Sequence, residues 1–164
     1  MPFTPFHFGP GAAVQAIAPK QVSFIAFCAA NVLIDFEPLY YMVTDQYPLH
    51  RFFHTYIGAT IIVFVTLLLF TAALKISSKI PLPNLFGWKR LNVRMVLVGA
   101  AIGSYSHIVF DSIMHSDIRP FNPFSESNPI LHIVPLGTMH WAMVASGMLG
   151  LIILGIRKLV GGKK

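Results

Sequence analysis

The feature that most restricts this chain is a run of nineteen residues, Tyr56 to Leu74, without a single charge. At 1.5 Å per residue such a run makes a helix of about 28 Å, enough to cross the hydrocarbon core of a bilayer. Met95 to Met114 and Leu136 to Ile156 are of similar length and nearly as apolar, interrupted only by His107, Asp111 and His140 near one end of each. Charged residues are only 11% of the chain and mean hydropathy is +0.67. The expected fold is therefore all-α: a multi-pass transmembrane helical bundle of three long spans plus two short N-terminal apolar helices, in one domain covering residues 1–164.

In such a protein the net charge of +6 is a matter of membrane placement, and no nucleic-acid partner is expected. The single cysteine, Cys28, excludes an internal disulfide and a multi-cysteine metal site. Pro2, Pro5, Pro10 and Gly11 break the first eleven residues into a non-helical segment carrying His7. That segment has no basic region of the kind that opens a cleaved signal peptide, so it is expected to stay in the mature protein. Ala12–Ala18 and Val22–Ile34 are short apolar runs, the second closed by Asp35-Phe36-Glu37-Pro38, and either two tilted spans or a re-entrant hairpin fits their length. A long helix is expected from about His50 to Leu74, and Ser116–Pro135 forms a loop with four prolines.

Threading the long helices up and down puts the loop 75–94, the C-terminal tail and Lys20 on one side, with ten of the twelve Lys and Arg residues. By the positive-inside rule that side is cytoplasmic, and the expected location is a bacterial-type inner membrane. The opposite, extracytoplasmic side receives all six acids and all seven histidines, with Arg51 and Arg119 as its cations.

Residues four apart share a helix face, so His107, Asp111 and His115 form one polar stripe, and His50 and His54 a second. Ionisable groups inside an apolar span are costly and usually functional. Facing His/Asp stripes are how helical bundles build metal sites, and imidazole with carboxylate suits a divalent ion, Zn foremost and Mn next. One or two ions are expected; Asp111 could bridge two, with His107 and His54 or His50 on either side, and His7 and Asp35 completing the shell. Arg51 and Arg119 could hold an anionic phosphate, since a guanidinium matches its oxygens in a fork. Asp35 and Glu37 are candidate general bases, which makes Asp35, Glu37 and Arg51 the catalytic candidates. Asp117 and Glu126 read as solvated loop charges, and His132 and His140 as interfacial residues.

Several motifs carry a resemblance: Pro-Phe-Thr-Pro-Phe-His at residues 2–7, Leu-Ile-Asp-Phe-Glu-Pro at 33–38, His-Arg-Phe-Phe-His-Thr at 50–55, His107-x-x-x-Asp111, and Pro-Phe-Asn-Pro-Phe at 120–124. In order and spacing the chain resembles the YdjM-type membrane-bound metal-dependent hydrolases, themselves similar to the zinc-dependent phospholipase C and P1 nuclease group. The resemblance implies metal roles for His7, Asp35, one or both of His50 and His54, His107 and Asp111. The family pattern is closer to His-Arg-Gly-x-Thr-His. Here the histidines are four apart and Phe52 replaces the glycine, which leaves open whether His50 or His54 is the ligand; His115 lies outside the resemblance. The function expected is hydrolysis of a phosphoester or lipid-linked substrate at the membrane. The alternatives are a metal or proton carrier and a non-catalytic scaffold.

Overall fold

The computed structural model describes residues 5–161. A 3-10 turn, Pro5–His7, leads into α1 (Phe8–Ile17), followed by α2 (Phe24–Val43), a second 3-10 turn (Phe52–His54), α3 (Tyr56–Ser77), a third (Leu85–Arg90), α4 (Val93–Met114) and α5 (Leu136–Gly161). Four of these, α2 to α5, are long and apolar enough to cross a membrane. The chain is an all-helical multi-pass bundle, and α1 is a helix of ten residues beside the spans.

Three boundaries differ from the expectation. Proline 10 and Gly11 do not keep the N-terminal segment from being helical; they fall in the first half of α1, where a missing N–H costs little. The run taken to close at Asp35-Phe36-Glu37-Pro38 continues through Pro38 to Val43, so α2 is a full span of 20 residues and the bundle has four. The third difference matters most for function: α3 starts at Tyr56, not at His50. Thr55 adopts extended backbone, and its Oγ1 accepts the Gly58 N–H at 3.0 Å, an N-cap that fixes the start of the helix. His50 and His54 therefore lie in the turn before α3 and not on one face of it.

Ser23 and Asn92 cap α2 and α4 in the same way, and the Ser23 N–H donates to the Met95 carbonyl at 3.1 Å, tying the two helix starts together. Small residues let these helices approach: Ala26 and Ala30 of α2, Ala59 of α3, and Ala100 of α4 are buried in one apolar cluster with Ile62 and Ile108. The approach is closest at Gly99 and Gly103, where a Cβ would collide with the Ser23 carbonyl oxygen and, at 2.6 Å, with that of Phe27. Elsewhere the large apolar side chains point outward, as Phe64, Leu68, Leu151 and Leu159 do. In a membrane span that is the lipid-facing surface.

At one end of the bundle lie the turn 44–55 and the loop 115–135. Pro120 O accepts from Tyr56 N, Ser112 O from Asn128 Nδ2 and Ile113 O from His132 N, all within 3.0 Å, so the loop is packed down on the helix ends. Ile118 and Pro120 are fully buried beneath it. This end carries the acids and histidines. Among the described residues, Lys20, Lys75, Lys79, Lys89, Arg90, Arg94, Arg157 and Lys158 lie toward the other.

The α2–α4 contact is testable. Gly103→Leu is expected to destabilise by at least the ~1–3 kcal/mol of ordinary overpacking, because rigid backbone is what it meets. Gly155→Leu, with nothing near its Cβ, is expected to melt like the parent. Thermal unfolding of both variants in detergent checks this, and equal melting of all three proteins would refute the packing.

Candidate metal centre

Four side chains from three elements meet inside the bundle: Asp35 of α2, His54 of the turn before α3, and His107 and Asp111 of α4. All are buried, His54 and His107 completely. One ligand atom from each lies within 4.8 Å of the others, so the group could hold a metal ion. His107 Nε2 stands 3.3 Å from Asp35 Oδ1 and 3.2 Å from Asp111 Oδ2, and His54 Nε2 stands 4.0 and 3.6 Å from the same two oxygens.

The protonation of each ring follows from its other nitrogen. His107 Nδ1 lies 2.9 Å from Asn31 Oδ1, and Asn31 Nδ2 donates to the Phe27 carbonyl at 2.8 Å, which fixes the amide with its oxygen toward the histidine. His107 Nδ1 must then be an N–H, and Nε2 is the atom turned toward the carboxylates, a lone pair in the neutral ring and a second N–H in the charged one. His54 Nδ1 lies 3.4 Å from Glu37 Oε2, which turns its Nε2 to the same carboxylates. Both buried Nε2 atoms lack an aligned hydrogen bond among the described residues. Two imidazole Nε2 atoms thus face two carboxylates, and with both rings neutral they face them as lone pairs. Acceptors opposed in a dry pocket repel unless something positive lies among them, either an added proton on each ring or a cation. A divalent ion would balance Asp35 and Asp111, and two nitrogens with two oxygens is a donor set that suits tetrahedral zinc.

The other candidates take different places. His7, delivered by the turn ahead of α1, puts Nε2 at 3.0 Å from Asp111 Oδ1 and stacks its ring on His107 at 4.5 Å. It thus meets the oxygen of Asp111 that His54 and His107 do not. Glu37 faces the backbone of the turn before α3. Its Oε2 accepts the N–H groups of Arg51 and Phe53, each at 3.0 Å, so this carboxylate holds the turn that presents His54. His50 does not join the four. Its ring lies 4.5 Å from that of His54, but its Nδ1 pairs with Asp117 Oδ1 at 2.9 Å, and it groups with His115 and Asp117. His115 leaves the stripe of His107 and Asp111 because α4 ends at Met114 and residue 115 turns to extended backbone.

Two residues escaped the sequence reading. Asn31 sits four residues before Asp35, a polar side chain in an apolar span, and that spacing was a usable signal. Asp117, expected to be solvated, is instead held by the backbone N–H groups of Leu49 and His50. Only the fold brings it there. Beside the His50 group opens a cavity of about 560 Å³, lined by His50, Arg51, Asp117, Arg119, Tyr47 and Asn122 among others. Arg51 lies with its guanidinium 3.6 Å over the Tyr41 ring and Nε donating to the Pro48 carbonyl, and Arg119 Nη1 donates to the Ser116 and Ile118 carbonyls. None of the four centre residues lines this cavity.

Outside the spans, burial pushes the His50 imidazole down to about 4, and neighbouring His54 adds to this while Asp111 and Asp117 oppose it. Burial also lowers His115. Burial works to raise Asp117, but His50 and the backbone N–H groups outweigh it and keep its carboxyl below the usual range. Comparison of the chain with family models, with curated proteins and with solved structures returns no match.

Two outcomes are expected. Asn31→Leu removes the partner that orients His107 and should weaken zinc binding by about 10–100-fold, read by competition with a chromophoric chelator; unchanged affinity would break the link. For His50 the folded protein binds the proton less well than the unfolded chain, so its contribution to stability is complete above pH 6.5 and is lost as pH falls toward 4. In chelator-stripped protein the wild type should lose about 3 kcal/mol more than His50→Gln across that window. Parallel pH–stability profiles would contradict it.

Proposed function

We propose that the protein is a membrane-bound metal-dependent hydrolase acting on a phosphoester or lipid-linked substrate. The observation that supports this best is the pair of imidazole Nε2 atoms turned toward Asp35 and Asp111, next to a cavity that carries two arginines. The resemblance to the YdjM-type hydrolases points the same way. Zinc suits the donor set, with manganese as the alternative. A bound ion of this kind supplies a Lewis acid for a phosphoryl oxygen and lowers the pKa of water it holds.

The chain's own residues then divide the work. Asp35, His54, His107 and Asp111 hold the ion. Asn31 and Glu37 stand behind the two histidines and fix which nitrogen each presents. Arg51 and Arg119 bind the anionic part of the substrate, Arg51 being steadied by Tyr41 and Pro48. Phe52 and Pro123 give the same cavity apolar walls beside those charges, a combination suited to a headgroup still joined to its lipid. We place this end of the bundle on the extracytoplasmic face of a bacterial-type cytoplasmic membrane, because the eight described Lys and Arg residues toward the other end match the positive-inside rule.

One observation favours a second reading. The four-residue centre is buried and closed to the cavity, as structural metal sites are, so the ion could clamp a non-catalytic scaffold. A carrier fits less well. Residues 57–74, 95–106 and 141–156 contain no Asp, Glu, His, Lys or Arg, whereas transport needs polar groups through the membrane depth.

The deciding assay uses detergent-purified protein with chromogenic phosphodiesters and with phospholipid vesicles. Turnover should vanish with chelator, return with Zn²⁺, and be absent from His107→Ala/Asp111→Ala. Arg51→Ala should raise KM by roughly 10–100-fold, the loss of a charged hydrogen bond, with a smaller effect on kcat. Metal-loaded protein that turns over no phosphoester, yet melts lower when stripped, would leave the scaffold reading in its place.

A further inference from the structure

We propose that His50, His115 and Asp117 form a second divalent-cation site, separate from the buried four-residue centre and open to the cavity. The three come from different segments: the turn before α3, the residue that ends α4, and the start of the loop that follows. One ligand atom from each lies within 4.8 Å of the others. The His50 and His115 rings stand 4.5 Å apart.

The local hydrogen bonds place these groups as an ion would require. Asp117 Oδ2 takes the N–H groups of Leu49 at 3.0 Å and His50 at 3.2 Å, which fixes the carboxylate and leaves Oδ1 to face His50. His50 Nδ1 and Asp117 Oδ1 are 2.9 Å apart. Two atoms bound to one tetrahedral zinc at about 2.0 Å each stand about 3.3 Å apart, so an ion needs little movement to replace the proton between them. His115 is fixed along the chain because its N–H still closes the last turn of α4 on the Asp111 carbonyl at 2.8 Å. That bond also sets the second site one helical turn beyond the first.

The two sites differ in what they leave open. The inner group offers four protein ligands and no face to the cavity. The outer group offers three, the number typical of zinc sites that keep a position for water or substrate. His50 and Asp117 line the cavity that also holds Arg51 and Arg119, so a cation held here would lie beside the place where those arginines could hold an anion. If the hydrolase reading holds, this outer ion is the one the substrate meets. The existence of the site does not depend on that reading.

The test counts ions. Full-length protein in detergent is stripped with chelator, loaded with Zn²⁺, freed of excess and measured by elemental mass spectrometry. Wild type should carry two zinc ions per chain; His115→Ala and Asp117→Asn should each carry one. The ion that remains reports that the inner centre is still folded, and a thermal melt confirms it. Asp111→Asn/His107→Ala should lose the inner ion. One ion in wild type, two retained in His115→Ala, or loss of both from His115→Ala would each overturn a separate outer site. The hydrolase reading fails on a different result, namely no phosphoester turnover by protein that carries both ions.

Discussion

Everything at the functional end of this bundle follows from one electrostatic conflict. Two carboxylates and two imidazole Nε2 atoms meet in a space almost wholly shut off from water. A single buried polar group left unpaired costs about 1–3 kcal/mol. The two Nε2 atoms, both without an aligned hydrogen bond, would together cost a sizeable part of the ~5–15 kcal/mol by which a domain is stable. The chain nevertheless spends further groups on keeping the conflict in place. Asn31 and Glu37 commit themselves to the far nitrogens of the two rings, and His7 presses on the remaining oxygen of Asp111. Such an arrangement makes sense if positive charge is meant to occupy the centre.

The fold supplies these groups through close helix approach. Asp35 and Asn31 belong to α2 and His107 and Asp111 to α4, and the contact is short enough for them to share a site because Gly99 and Gly103 let the two backbones nearly touch. Glu37 does comparable work for the third element. By taking the N–H groups of Arg51 and Phe53 it shapes a turn, and Thr55 then starts α3 immediately after His54. The α1–α5 pair packs through Gly9 and Gly150 in the same small-residue manner and brings His7 to the site from the other side.

This explains what could be read from the sequence and what could not. The spans were legible because a bilayer demands long uncharged runs. His107 and Asp111 were legible because a helix puts residues four apart on one face. The same rule misled at His50 and His54. Their spacing is identical, but the residues lie in a turn whose shape depends on Glu37, fourteen or more positions away. The end of the second apolar run was misplaced because charges and a proline usually mark a helix end, whereas here Asp35 and Glu37 are partnered inside the structure and Pro38 is buried within the helix. Asp117 could not have been assigned at all, since its partners at 49 and 50 lie across the loop and only tertiary structure joins them.

The two His/Asp groups also differ in how each could hold a cation. A metal ion gains stability from a complete protein shell, but a substrate needs a vacant position, and one site cannot satisfy both demands fully. Asp35, His107 and Asp111 within the spans, with His54 from the turn before α3, would offer a cation four donors where desolvation strengthens every attraction. The group at the rim has fewer donors, looser burial and a cavity beside it. His50 touches His54 and is itself held by Asp117, so a ring contact joins the two groups. A positive charge in the inner group would therefore add to the field around the outer one.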